Sequence, residues 1–148
     1  MTTTATAIQN KLETILQDVI GTSHVFRSAE SASLPSDTTY PVIFIRPLSN
    51  SAEETLREDV RVTYRIGIEV RFLPDDTDLD VIMDTYIYDV RKAITGDRCK
   101  PFHGIVNHFS ANEPGISIGE AQYNFPAVGE KTASVMMIFT FRYLERYV

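Results

Sequence analysis

The sequence predicts an α+β domain with a mixed, mainly antiparallel sheet of four to five strands, a very long central hairpin strand and two helices packed on one face. Residues 59–72 alternate between polar and apolar side chains, and residues 8–20 and 79–94 repeat apolar side chains at helical spacing. Residues 133–146 place apolar side chains at every second position, and because Met136 and Ile138 lie on the other face, part of this strand is expected to be covered on both sides. Alternation is typical of a strand with one buried face, and the helical spacing is typical of an amphipathic helix. Placing both helices on one face of the sheet buries all of these apolar surfaces together.

The first 39 residues predict a helix, a short strand and a loop. A helix is expected over residues 6–20, where Gly21 follows at a common C-cap position. Residues 1–6 are expected to form a flexible N-terminal arm, because no basic segment precedes an apolar run as in a secretory signal. Residues 25–29 predict a short strand, and the serine- and threonine-rich residues 31–39 predict a loop.

A strand and a hairpin tip are predicted before the alternating stretch. Residues 40–46 contain a continuous apolar run, which is typical of a strand that is covered on both faces. Pro47 is expected to end this strand, since proline cannot donate to a sheet ladder. Residues 48–56 are then predicted to form a polar, flexible hairpin tip that carries Glu53 and Glu54.

The alternating stretch from Asp59 to Phe72 is much longer than an ordinary strand. Fourteen extended residues span about 45 Å, whereas a compact domain of this length is only about 38 Å across. The alternation keeps its parity on both sides of Gly67, so one unbroken strand is predicted rather than a bulged one. We expect this strand to protrude with open edges that another chain covers.

The second half of the chain predicts a helix and two strands. The helix is expected over residues 78–94, with acidic residues and threonine at its start and Gly96 at its end. Residues 97–115 are predicted as a loop that holds at most a brief strand. Residues 116–123 and 133–146 predict the last two strands, which a loop over residues 124–131 connects.

Length and composition limit the classes of function. The 148 residues suit one domain over residues 1–148, and no apolar run approaches the length of about 20 residues that a membrane helix needs. The formal net charge of −6 argues against a protein that grips nucleic-acid phosphates. The single cysteine excludes an internal disulfide and fits a reducing compartment.

Catalytic, metal and cofactor signatures are weak. The sequence has no glycine-rich phosphate loop, HExxH, CxxC or GxSxG motif. Cys99 and His103 are four residues apart and provide the one thiol–imidazole candidate, which is weighed against an ordinary loop cysteine and loop histidine. His103 and His108 lack a nearby acid or cysteine at zinc-site spacing. The acidic residues Asp75, Asp76, Asp78, Asp80 and Asp84 are explained by helix capping, because calcium-loop spacing is absent.

Mixed charges lie on the polar side of the long strand. Four arginines there could form a nucleic-acid stripe, but acidic residues are interleaved with them. Such mixed charges suit either a solvated surface or ion pairs with a neighbouring subunit better than contacts with phosphates. The subunit-interface candidates are Arg57, Asp59, Arg61, Arg65, Glu69 and Arg71.

The order and length of these elements resemble the tail terminator, or tail completion, proteins of tailed bacteriophages. The resemblance rests on the helical residues 8–20 and 78–94, the strand residues 40–46 and 135–143, and the long strand of residues 59–72. It covers nearly the whole chain but concerns element order and length, without a diagnostic motif.

The resemblance implies a structural virion protein rather than an enzyme. Family members form hexameric rings that cap the tail tube, stop its polymerisation and join the tail to the head–neck connector. The implied partners are other copies of the chain, the tail tube protein and the connector protein, and DNA passes through the lumen without specific binding. Assembly takes place in the host bacterial cytoplasm. No cofactor, metal or membrane is implied, and Glu53 and Glu54 become candidates for contact with the tube.

Three alternatives remain open from the sequence. A tail-tube subunit or head–tail adaptor (neck) subunit would use a similar fold. A small thiol hydrolase would use Cys99 and His103. A ligand-binding module would hold a pocket between the helices and the sheet.

Overall fold

The computed structural model describes residues 3–21, 24–27, 39–55, 59–74, 78–102, 104–106 and 115–146, and leaves the side chains of residues 97–100 undescribed. The predicted α+β architecture is confirmed. The elements in chain order are α1 (Thr4–Ile20), β1 (Val25–Arg27), β2 (Val42–Glu54), β3 (Asp59–Phe72), α2 (Leu79–Cys99), a 3₁₀ turn (Lys100–Phe102), β4 (Ile116–Asn124) and β5 (Ala133–Arg146).

The five strands form one mixed sheet in the order β1-β2-β3-β5-β4. Strand β1 is parallel to β2, and the other three pairs are antiparallel. Strand β3 has the predicted bounds and is unbroken, but β2 and β5 of the same chain pair with it along both edges. The expectation that another chain must cover β3 is therefore wrong. In the described part of the sheet, the unpaired edges belong to β1, to residues 47–54 of β2 and to β4 instead.

Strand β2 continues past Pro47, so the predicted hairpin tip over residues 48–56 is wrong up to residue 54. The register with β3 shifts between Pro47 and Ser49, which leaves one residue unpaired as in a β-bulge. A bulge and an edge are the positions where a strand tolerates proline. Glu53 and Glu54 consequently lie in the strand, opposite Arg61 and Val60 of β3.

The core lies between the sheet and the two helices. Six alternate side chains of β3, from Val62 to Phe72, are buried in one cluster with apolar side chains of α1 and α2. Strand β5 adds side chains to the same face, and the ring of its Phe141 lies 5.2 Å from that of Phe102 after α2. The other buried members on β5 are Ala133, Val135, Met137, Phe139 and Tyr143. Both amphipathic helices thus cover the same face of the sheet, as predicted.

The helix ends differ from the predictions. Helix α1 begins at Thr4, and the Thr3 hydroxyl accepts a hydrogen bond from the Thr6 N–H at 3.1 Å, so residues 4–6 belong to the helix and not to an arm. Helix α2 does not end at Gly96 but continues to Cys99, and a 3₁₀ turn follows that contains Pro101. Glycine inside a helix costs only about 1 kcal/mol relative to alanine, so Gly96 is tolerated within α2. Proline lacks the donor that continues a helix, and burial of Phe102 holds the extension against the sheet.

Candidate interaction surfaces

One face of the sheet is covered by neither α1 nor α2, and we call it the open face. It consists of the side chains that alternate with the core residues on β3 and on the strands beside it. Its members include Phe26, Phe44, Arg46, Asp59, Arg61, Thr63, Arg65, Gly67, Glu69, Arg71, Met136, Ile138, Thr140 and Arg142. Most of these are polar or charged, in contrast to the apolar face beneath the helices.

A buried carboxylate and two arginines occupy one end of the open face. The Glu69 side chain accepts a hydrogen bond from Arg71 Nε at 2.9 Å and lies 3.4 Å from Arg46 Nη2. Both guanidinium groups lie over the ring of Phe44, at 5.0 Å and 5.2 Å from its centroid, and the ring of Phe26 lies 5.9 Å away. We call these five residues the Glu69 cluster. The other four residues contribute to the burial of the Phe44 ring, which is fully buried.

The structure pairs several of the predicted interface charges within the chain. Glu69 and Arg71 belong to the Glu69 cluster, and Asp59 lies 3.0 Å from Arg146 of β5. Arg61 is half-buried and has a partner, whereas Arg65 is exposed. Arg57 lies outside the described residues. Of this set, Arg65 is therefore the described charge with the most access to a neighbouring molecule.

Three stretches of strand edge are unpaired in the described part of the sheet, and the outer side of β1 is the shortest of them. Strand β1 pairs only with Ile43 to Ile45 of β2, and residues 47–54 of β2, which we call the β2 edge, are all exposed. Strand β4 is the last strand on the opposite side, and we call its outer side the β4 edge. Unpaired backbone N–H and C=O groups at such edges can pair with a strand of another chain.

A groove of about 440 Å³ lies between α2 and β4. Arg91 donates to the Gly119 carbonyl at 3.2 Å, and the Tyr123 hydroxyl donates to the Asp84 carboxylate. This hydrogen bond is the main reason why the pKa of Tyr123 is raised. The lining residues are Asp84, Ile87, Tyr88, Arg91, Lys92, Thr95 and Tyr123. None of them was a predicted site residue, since the groove joins elements that are far apart in the sequence.

The buried phenol of Tyr64 provides a test of the packing between α1 and β3. Burial raises its pKa above the ordinary value of 10.0, while the hydrogen bond from Gln9 Nε2 at 2.7 Å and the charge of Arg27 oppose this increase. The folded protein therefore keeps this proton at a pH where the unfolded chain loses it. The stability contribution is complete below pH 10 and is lost as the pH rises through the folded-state pKa.

We expect wild-type protein to lose stability between pH 9 and pH 11 more steeply than Tyr64→Phe, which lacks this ionisation. Urea denaturation at both pH values measures the difference. Tyr88→Phe serves as a control, because Tyr88 is 62% exposed. Parallel losses in wild type and Tyr64→Phe would contradict the expectation.

The thiol and metal candidates lie mostly outside the described residues. Cys99 is the last residue of α2, but its side chain is not described, and His103 and His108 are outside the described ranges. The same holds for Asp75 and Asp76. Among described side chains, no group of three or more His, Cys, Asp or Glu residues is close enough to hold a metal ion. Neither described helix is long and apolar enough to cross a membrane.

No protein-family model matches the chain, and no curated protein sequence matches it.

Proposed function

We propose that this chain is a structural virion protein that forms a ring, with six subunits as the resemblance implies. The ring caps the phage tail tube, stops its polymerisation and joins the tail to the head–neck connector. The observation that carries the proposal is a pair of long strand edges on opposite sides of one sheet, residues 47–54 of β2 and strand β4, which have no partner strand among the described residues. The resemblance of the element order to tail terminator proteins supports a role in a virion, with assembly in the host bacterial cytoplasm.

Open edges on opposite sides of a sheet favour head-to-tail contacts between copies. Such a contact uses two different surfaces of each subunit, so repetition gives a closed ring or an open filament, depending on the rotation between neighbours. A closed ring whose two ends differ binds a tube at one end only. Its far end does not accept another tube ring, and growth of the tube stops.

The contacts with the tube and with DNA follow from the charges. Glu53 and Glu54 lie near the exposed end of the β2–β3 hairpin, where we propose that they contact the tail tube protein or a neighbouring subunit. With a net charge of −6, the chain offers DNA little electrostatic attraction. DNA would then pass through the lumen without being held.

Native mass spectrometry of the purified protein tests the ring. We expect a discrete species near six times the chain mass of 16.7 kDa, alone or on the addition of purified tail tubes. A monomer at every concentration, together with failure to bind tube ends, would reject the proposal.

The open edges also fit a tail-tube or neck subunit. Negative-stain electron microscopy separates these functions, because a tube protein polymerises without a limit whereas a terminator or neck protein forms discrete rings. Capping of preformed tubes then identifies the terminator among the ring-forming proteins.

A further inference from the structure

We propose that the β2 edge of one copy adds as an extra strand to the β4 edge of the next copy, in the groove beside α2. The proposal rests on the ring function above and names the surfaces that build the ring. The partner is a second copy of this chain.

The strand directions in the sheet allow this contact to repeat. Three successive antiparallel pairings, β2–β3, β3–β5 and β5–β4, make β4 antiparallel to β2 within one chain. A copy rotated about an axis along the strands therefore brings its β2 edge antiparallel to the β4 edge of its neighbour. The two edges have similar lengths, eight residues in β2 and nine in β4. Strands in closed rings are tilted and staggered, which permits the edges to slide into register.

Charges favour the same direction. Helix α2 runs opposite to β4, since Asp84 meets Tyr123 near the end of β4 and Arg91 meets Gly119 nearer its start. The groove is thus negative beside the end of β4 and positive beside its start, where Lys92 follows Arg91. An antiparallel incoming β2 edge ends at the positive part.

The β2 edge is acidic at its C-terminal end. Glu54 lies opposite Val60 and so shares the helix-covered face, which places it on the same side as Lys92 when the sheet continues from copy to copy. Glu54 is exposed at the end of β2. A parallel addition would instead bring Glu54 close to Asp84, and the two carboxylates would repel each other.

The residues in the middle of the β2 edge are small. Ser49, Asn50, Ser51 and Ala52 carry no charge and little bulk. They therefore fit between the exposed rings of Tyr88 and Tyr123, and they meet the acidic Glu120 on β4 without repulsion.

Charge reversals on the two surfaces test the contact. We expect Glu54→Lys and Lys92→Glu each to weaken self-association by more than about tenfold, because like charges then meet across the contact. The double variant Glu54→Lys/Lys92→Glu restores the pair and is expected to associate within about threefold of wild type. Sedimentation velocity over a concentration series measures association, and far-UV circular dichroism confirms folding.

Matched variants control for net charge. Asp18→Lys and Lys131→Glu make the same charge changes at exposed positions on α1 and before β5, and we expect both to associate like wild type. If wild type forms rings and either single reversal leaves them intact, or if the double variant stays dissociated, the edge contact is wrong while the ring function stands. If wild type neither associates nor binds tubes, both proposals fall.

Discussion

Glu69→Ala is expected to lower the free energy of unfolding by about 2–4 kcal/mol, because it leaves two arginines near a buried ring without their carboxylate. The Glu69 side chain is 8% exposed and that of Arg71 is 19% exposed. Removal of one partner from a fully buried pair usually costs about 3–5 kcal/mol. Because the two arginines are partly solvated, the expected loss in the free energy of unfolding is smaller than for a fully buried pair.

Urea denaturation at neutral pH measures this loss. Glu53→Ala is the matched control on the same strand pair, and its exposed carboxylate is expected to change stability by less than about 0.5 kcal/mol. Arg71→Ala combined with Glu69→Ala is expected to cost less than the sum of the single effects, since each change removes the same interaction. Additive losses, or equal losses from Glu69→Ala and Glu53→Ala, would show that the Glu69 cluster does not stabilise the fold.

The long strands could be predicted because their signal is local. In β3 each polar or apolar residue reports the face on which it lies, so fourteen consecutive residues determine type, bounds and parity together. In β5 the apolar Met136 and Ile138 interrupt this alternation, and the covered face is marked by buried apolar side chains at every second position. The continuation of β2 could not be predicted in this way. Apart from Ala52, its residues 49–54 are polar, and pairing with β3 holds them extended despite Pro47. The extension of α2 likewise depends on the tertiary packing of Phe102.

The candidate surfaces were only partly visible in the sequence. The alternation placed Glu69 and Arg71 on the polar face, two residues apart, and the structure places them side by side. Arg46 and Phe44 come from a different strand, and only the register between β2 and β3 brings them to Glu69. The groove between α2 and β4 depends on the packing of two elements, for which the sequence carries no local pattern.

The second large effect is expected at Phe141 on the helix-covered face. Phe141→Ala removes a fully buried ring that packs on Phe102, and we expect it to lower the free energy of unfolding by about 3–5 kcal/mol. Ile138→Ala, on the open face of the same strand, is the matched comparison. Because Ile138 is only partly buried, its truncation is expected to cost about 1 kcal/mol. Chemical denaturation at a concentration where the protein is monomeric measures both.

The ratio of the two losses tests whether the sheet has one covered and one open face within a single chain. A large difference means that the isolated subunit folds by burying its helix-covered face, and that the open face and the two edges stay available for other copies. Equal losses would mean that the chain already covers both faces of β5. The open face would then offer less surface to a neighbour, whereas the proposed contact between the β2 edge and the β4 edge would be unaffected.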